Sequence, residues 1–227
     1  MFNADKCKKV IRLTMPLEQL RQFRTSVYNI LGKAKDALFD LMDAALITRS
    51  IYAFVELALS PVFRRKWSSV YEAIEDGNPP RTELMKLYIE QLNPTERIIL
   101  AGDHTAWTRI DAPTLKDRTY EHQEQPMSGA KPVTLGQGYS TIAVIPEMSG
   151  SWALPLLHQR ITSFENPIQK AAAQLKLICE NLPTRPISLW DSEYGCASFI
   201  NQTSDIPADK LMRLRPNMYS KKHYKLW

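Results

Sequence analysis

Several things are scarce or missing in this 227-residue chain, and each absence closes off a class of protein. Cysteine is one. Cys7, Cys179 and Cys196 are odd in number, scattered and without a CxxC pair, which excludes a disulfide framework and a thiolate zinc site. Reduced, partly buried thiols are expected instead. No apolar run approaches ~18 uncharged residues, so a membrane-spanning helix is not expected. The first residues carry Asp5, Lys6, Lys8, Lys9 and Arg12 where a signal peptide would have an apolar stretch, and the expected location is the cytoplasm. No internal repeat or low-complexity segment is present, which excludes a solenoid or a fibre.

What is there fits a globular chain. Hydrophobic residues make up 44% and charged residues 23%, enough for a real core and too apolar for disorder. The net charge of +5 is unevenly spread. Residues 1–95 hold 14 basic and 11 acidic side chains, residues 96–205 hold 9 and 12, and residues 206–227 hold 6 and 1. An acidic centre between basic flanks suits a chain whose flanks meet phosphate and whose centre holds a cation. Ordinary solvated charge is the competing reading.

The first 95 residues read as helices with short breaks. Leu17, Leu20, Phe23, Val27 and Ile30 fall at steps of three and four, one helical face. After Gly32, Ala37, Leu38, Leu41, Ala44 and Leu46 or Ile47 repeat the pattern. The stretch IYAFVELALS is apolar nearly all round and reads as a buried helix. FRRKWSSVYEAIEDG puts Arg64, Arg65 and Lys66 on one helix turn, the best basic cluster of this part. Asn78, Pro79 and Pro80 break the chain before a last helix with Thr82 as its cap.

After Pro94 the pattern changes. RIILAGDHTAW is apolar for four residues and stops at Gly102, the look of a strand buried on both faces. Residues 111–135 are polar and read as a long loop. GQGYSTIAVIPEM and SWALPLLHQRI form an antiparallel hairpin, with Pro155 making the second strand imperfect or an edge. IQKAAAQLKLICENL is a helix behind Asn166 and Pro167, with Ala172, Leu175, Ile178 and Leu182 facing the core. PISLW is a strand, YGCASFINQ a helix and KLMRLRP a last strand. Two aspartates, Asp103 and Asp191, close two of these strands.

A strand that ends on one Asp aims a carboxylate at the rim of the sheet. Two such strands side by side bring two carboxylates together, which is unfavourable without a cation. With Mg²⁺ the pair becomes a site, because hard cations take oxygen ligands and leave positions for water and phosphate. Two ions bridged this way serve in-line phosphoryl displacement. Spacing alone also allows each Asp merely to cap the turn after its strand.

Five segments, in order, carry a resemblance: LAGDHTAWTR, APTLKDRTYEHQ, the GSW before ALPLLHQRI, LWDSEYGCASFI and LMRLRPN. Together they resemble bacterial insertion-sequence transposases of the DDE class, over roughly residues 95–220. The resemblance implies an α/β fold: an RNase H-like mixed sheet with helices over residues 96–227, behind a helical DNA-binding domain over residues 1–95. It implies Asp103 and Asp191 as catalytic metal ligands, two Mg²⁺ or Mn²⁺ ions, and DNA strand cleavage and transfer at terminal repeats. It implies phosphate contact by Arg213 and Arg215, and an association with the nucleoid. Arg64, Arg65 and Lys66 are further DNA-binding candidates. A small-molecule substrate is not expected; self-association is.

The family pattern also asks for a Glu on a helix after the last core strand. The acids beyond Asp191 are Glu193, Asp205 and Asp209, none past that strand. The expectation is therefore a C-terminally truncated copy whose catalytic set is incomplete. Its rival is a DNA-binding fragment that competes with a full-length transposase, or an inert product. Among lesser candidates, His104 should point to the face opposite Asp103. Glu193 reads as a solvated turn residue. Trp107, Trp152 and Trp190 flank apolar strands and read as core.

Overall fold

A computed structural model describes residues 16–92, 97–122, 133–146 and 152–214. Arg215, Lys221, Lys222, Lys225 and Cys7 lie outside the described residues. The chain divides into two compact units, Met1–Leu87 and Tyr88–Trp227. No helix of the described residues is long and apolar enough to cross a membrane.

In the first unit the described elements are helices: α1 (Leu17–Ile30), α2 (Lys35–Ile47), α3 (Phe54–Leu57), α4 (Ser68–Asp76) and α5 (Arg81–Ile89), which runs across the boundary. Gly32 takes a left-handed φ of 68° in the turn between α1 and α2, a conformation that costs glycine nothing. Val27 and Leu31 pack with Leu87 in one core cluster. Ala44, Leu57, Phe63 and Val70 form a second. The Arg24 guanidinium clamps the Asp43 carboxylate through bonds of 2.7 and 2.8 Å and lies over the Phe39 ring.

Two expectations fail here. IYAFVELALS is not a buried helix. It yields only the four-residue α3, in which Leu57 is buried, while Tyr52 before it and Leu59 after it are 89% and 82% exposed. Glu56 folds back to accept the Tyr52 backbone N–H at 2.8 Å, closing a single turn. A stretch apolar on every side has no polar face to tell solvent from core, so its composition overstated its burial. In addition, α4 begins at Ser68, so Arg64, Arg65 and Lys66 sit in an irregular stretch and not on a helix turn.

The second unit is built on one mixed sheet of six strands: β1 (Ile99–Thr108), β2 (Thr119–His122), β3 (Val133–Val144), β4 (Leu154–Ile161), β5 (Ile187–Trp190) and β6 (Asp209–Met212). The order is β2-β3-β1-β5-β6. β2 pairs with the first part of β3 and β4 with the rest, so the two share its outer edge. β1 runs antiparallel to β3 and parallel to β5, which runs parallel to β6. The expected hairpin is β3 and β4, with a register shift where Ala143 meets Pro155. The expected long loop holds β2, whose four residues were too short a run to stand out.

Helices α6 (Pro167–Cys179) and α7 (Ala197–Gln202) complete the unit. Asn166 and Gln169 cap α6 reciprocally, each side chain accepting the other's backbone N–H. Ala172, Leu175 and Ile178 are buried as the periodicity predicts, and so is Gln174. Gln174 holds α6 to the sheet: its Oε1 accepts the Ser140 hydroxyl at 2.6 Å, and its amide donates to the Ser140 carbonyl at 3.1 Å. This marks the sheet face that carries Leu100, Gly102, His104 and Ser140 as the helix-covered one.

Candidate active site

The two aspartates are brought together by the middle of the sheet. In the parallel pairing of β1 with β5, Gly102 is the partner of Trp190. The next residues are Asp103 and Asp191, and neighbouring strands lie about 4.8 Å apart. Asp191 follows the end of β5 as expected, whereas β1 does not close at Asp103 but runs on to Thr108, because its antiparallel pairing with β3 continues that far. Gly102 makes this close approach possible, since a Cβ there would overlap the Trp190 indole. That indole packs against Tyr194 and Phe199 at centroid distances of 4.8 and 4.6 Å. The Gly-Asp of one strand and the Trp-Asp of the other are thus one packing unit. The ring of one strand fills the gap left by the glycine of its neighbour, and the acids follow.

The electrostatics of the pair are those of like charges held close. Partial burial holds the Asp103 carboxyl above the usual carboxylate range, and the negative charges of Asp191 and Glu193 push it further. Burial also raises the Tyr194 hydroxyl, and the same three acids add to it. Asp191 accepts the Glu193 backbone N–H on Oδ1 at 2.9 Å, so it caps the turn after β5 while standing beside Asp103. Among the described residues, no group of three or more His, Cys, Asp or Glu side chains is set to hold a metal. Two carboxylates would supply part of the oxygen shell of a hard cation, with water and phosphate completing it.

Directly behind Asp103, on the helix-covered face, His104 is held between two carboxylates. Its Nδ1 lies 3.3 Å from Glu193 and its Nε2 lies 3.2 Å from Glu121. Glu121 is buried and also accepts the Thr119 hydroxyl. The hydrogen bond to Glu193 raises the His104 pKa, with the charge of Glu121 adding to it. Gly138 leaves room for this array, because a Cβ there would stand 2.8 Å from both Glu121 Oε1 and His104 Nε2.

Other candidates fall out differently. Arg213 is exposed just past β6, and its backbone N–H donates to the Trp190 carbonyl at 3.1 Å, one residue before Asp191. Arg215 lies outside the described residues. Arg64, Arg65 and Lys66 belong to the other unit, where Arg65 pairs with Asp36 and Asp40 at 3.7 and 3.4 Å. Glu193 is more than a solvated turn residue, as its bond to His104 shows. His104 does face away from Asp103, as its position on a strand requires. Of the three tryptophans, only Trp190 is core; Trp107 is 50% and Trp152 76% exposed. Glu121 was missed, because it lies in the stretch read as loop. The alternation of Tyr120 and Glu121 was its only signal.

With this geometry in place, comparison with known proteins is informative. The family model of the DDE superfamily endonucleases matches residues 26–221, a span that includes Asp103 and Asp191. No curated protein matches the chain.

Proposed function

Because the chain belongs to the DDE superfamily of endonucleases, for which DNA is the substrate, we propose that it derives from an insertion-sequence transposase. Asp103 and Asp191 are its metal-holding catalytic pair. The observation that carries this reading is the register of β1 and β5. It sets Asp103, midway along β1, beside Asp191, the residue after β5, with no cationic side chain between them in any ion pair among the described residues. Two like charges on neighbouring strands are held there at a cost, and a bound divalent cation would reverse that cost.

The chemistry supplied by Mg²⁺ or Mn²⁺, when bound, is polarisation of the scissile phosphate and neutralisation of the charge that develops on it. Asp103 and Asp191 would hold the ions. His104, through Glu193, fixes the turn whose N–H orients Asp191. Arg213, beside that turn, contacts backbone phosphate, a role that positions DNA without reading sequence. The helical segment 1–95 engages the element ends, and residues 96–227 carry the cutting site.

The second reading, a DNA-binding fragment without activity, is favoured by one observation: no third ligand joins the two aspartates among the described residues. One assay separates the readings. DNA carrying the flanking element ends is incubated with the protein in Mg²⁺ or Mn²⁺, with Asp103→Ala as control. Nicking that drops by about 10³-fold in the variant, the scale of several kcal/mol of lost transition-state stabilisation, supports the endonuclease. Absence of nicking in both, with binding that falls by ~0.9 log unit per log salt for each phosphate contacted, leaves the binder.

A further inference from the structure

The face of the sheet that carries Asp103 continues beyond it as an open aromatic surface. Asp103, Thr105 and Trp107 alternate outward along β1, and all three are exposed. Their antiparallel partners on β3 are Thr141 and Tyr139, both half-buried, and Gln137, which is buried; all three share this face. On β4, the Thr141 hydroxyl meets the His158 ring at 2.8 Å, and that ring stacks on Tyr139 with centroids 5.0 Å apart. Trp107 lies 6.5 Å from Tyr139, and the Arg109 guanidinium sits 3.7 Å over its ring. Tyr120, the partner of Leu135 on the same face, is 81% exposed. Gln137 donates to the Lys116 carbonyl at 3.4 Å, which ties exposed Lys116 to the edge of the row. Neither Arg109 nor Lys116 is in an ion pair among the described residues.

Flat rings interleaved with uncompensated cations are the chemistry that takes unpaired nucleotides: bases stack on the rings and phosphates meet the cations. An apolar protein segment packed here would leave those cations with no counter-charge. Duplex DNA would hide its base faces from the rings. We propose that this row is a stacking platform for the unpaired nucleotides that flank the cut phosphate, with Trp107 and Tyr139 taking base faces and Arg109 and Lys116 taking phosphates. The proposal rests on the reading that Asp103 belongs to a DNA-cutting site, since the platform begins at that residue and runs away from it along the strand.

The test is binding by fluorescence anisotropy, with the full chain in Ca²⁺. Two probes are used: a blunt 20-base-pair duplex, and the same duplex with a four-nucleotide single-stranded extension. The wild type should prefer the extended probe. Trp107→Ala and Tyr139→Ala should each weaken that probe by roughly tenfold, the scale of one lost base stack, and leave the blunt duplex unchanged. Trp107→Phe should retain most of the preference. Circular dichroism checks that the variants fold, which the exposed position of Trp107 favours. Tyr139 is half-buried and donates its hydroxyl to Gln137 at 3.0 Å, so its variant is read only if its spectrum matches the wild type. Equal affinity of the wild type for both probes, unchanged affinity in the alanine variants, or no binding at all would each overturn the platform. A second copy or another chain covering this face would give the second of these results. The assay involves no bond cleavage, so a protein that nicks DNA but shows no Trp107 dependence loses the platform alone. One that shows the dependence without nicking loses the endonuclease reading alone.

Discussion

On the helix-covered face of the sheet, His104 of β1 and Ser140 of β3 meet side chains from other elements. His104 is held between Glu121 and Glu193, and Ser140 and Gln174 satisfy each other a strand away. On the opposite face, one residue along, Asp103 meets the like charge of Asp191, and Trp107 stands half in solvent. A strand alternates its side chains by geometry alone, so ten consecutive residues can hold the fold together on one side and leave chemistry unsatisfied on the other. Unmet electrostatic demand on an otherwise well-packed strand is the feature on which the proposed site rests.

The largest effect that would sharpen this contrast is at Gly102. Gly102→Ala places a methyl group in the Trp190 ring, which is itself wedged against Tyr194 and Phe199. The expected loss is about 3 kcal/mol in urea denaturation, the upper part of the range for overpacking. One residue on, the reverse is expected. Asp103→Ala removes a carboxylate already disfavoured by its surroundings, and its urea midpoint should equal or exceed that of the wild type. Similar losses at both positions would break the contrast between the faces.

How much of this was legible in the sequence follows from the same alternation. Long periodic segments declared themselves: the α6 positions Ala172, Leu175 and Ile178 repeat often enough to show a face, and the apolar entry to β1 identified a central strand. The resemblance then drew attention to Asp103 and Asp191. What escaped were contacts between elements distant in the chain. Nothing in the order of residues says that Glu121 and Glu193 close on His104 from two sides, because that depends on β2 sharing an edge with β3 and on the turn after β5. Trp107 was misjudged for a related reason. An aromatic ring beside an apolar run suggests core, yet its burial depends on whether anything packs over its face. In the first unit the same error appears at IYAFVELALS, where hydrophobicity was present without a direction.

A smaller effect belongs to His104. The pKa of this group is raised in the folded state, so protonation and folding favour each other. The stability it contributes is therefore complete below its unfolded value of about 6.5 and is lost as pH rises through the higher folded value. In metal-free buffer, His104→Gln should cost about 1.5–3 kcal/mol at pH 6, the range for losing a hydrogen bond to a charged group. At pH 8.5 the gap between variant and wild type should narrow. A gap that widens with pH would mean that the imidazole is neutral between its two carboxylates.

The smallest expected effect is at Thr105, one position further along β1 and back on the open face. Thr105→Val keeps the β-branched shape and removes a hydroxyl in contact with solvent, so its urea midpoint should stay within about 0.5 kcal/mol of the wild type. This near-zero result carries weight because of where it falls. Thr105 follows a histidine whose loss is felt, and it precedes by two residues a tryptophan whose loss should weaken binding without affecting folding. If the open face exists to be covered by protein, Thr105→Val adds apolar surface to an interface and should raise self-association, measurable by sedimentation. If the face is a platform for nucleotides, as its cations argue, the variant should remain as monodisperse as the wild type, and stability on this side of the strand should be indifferent to sequence wherever DNA is not.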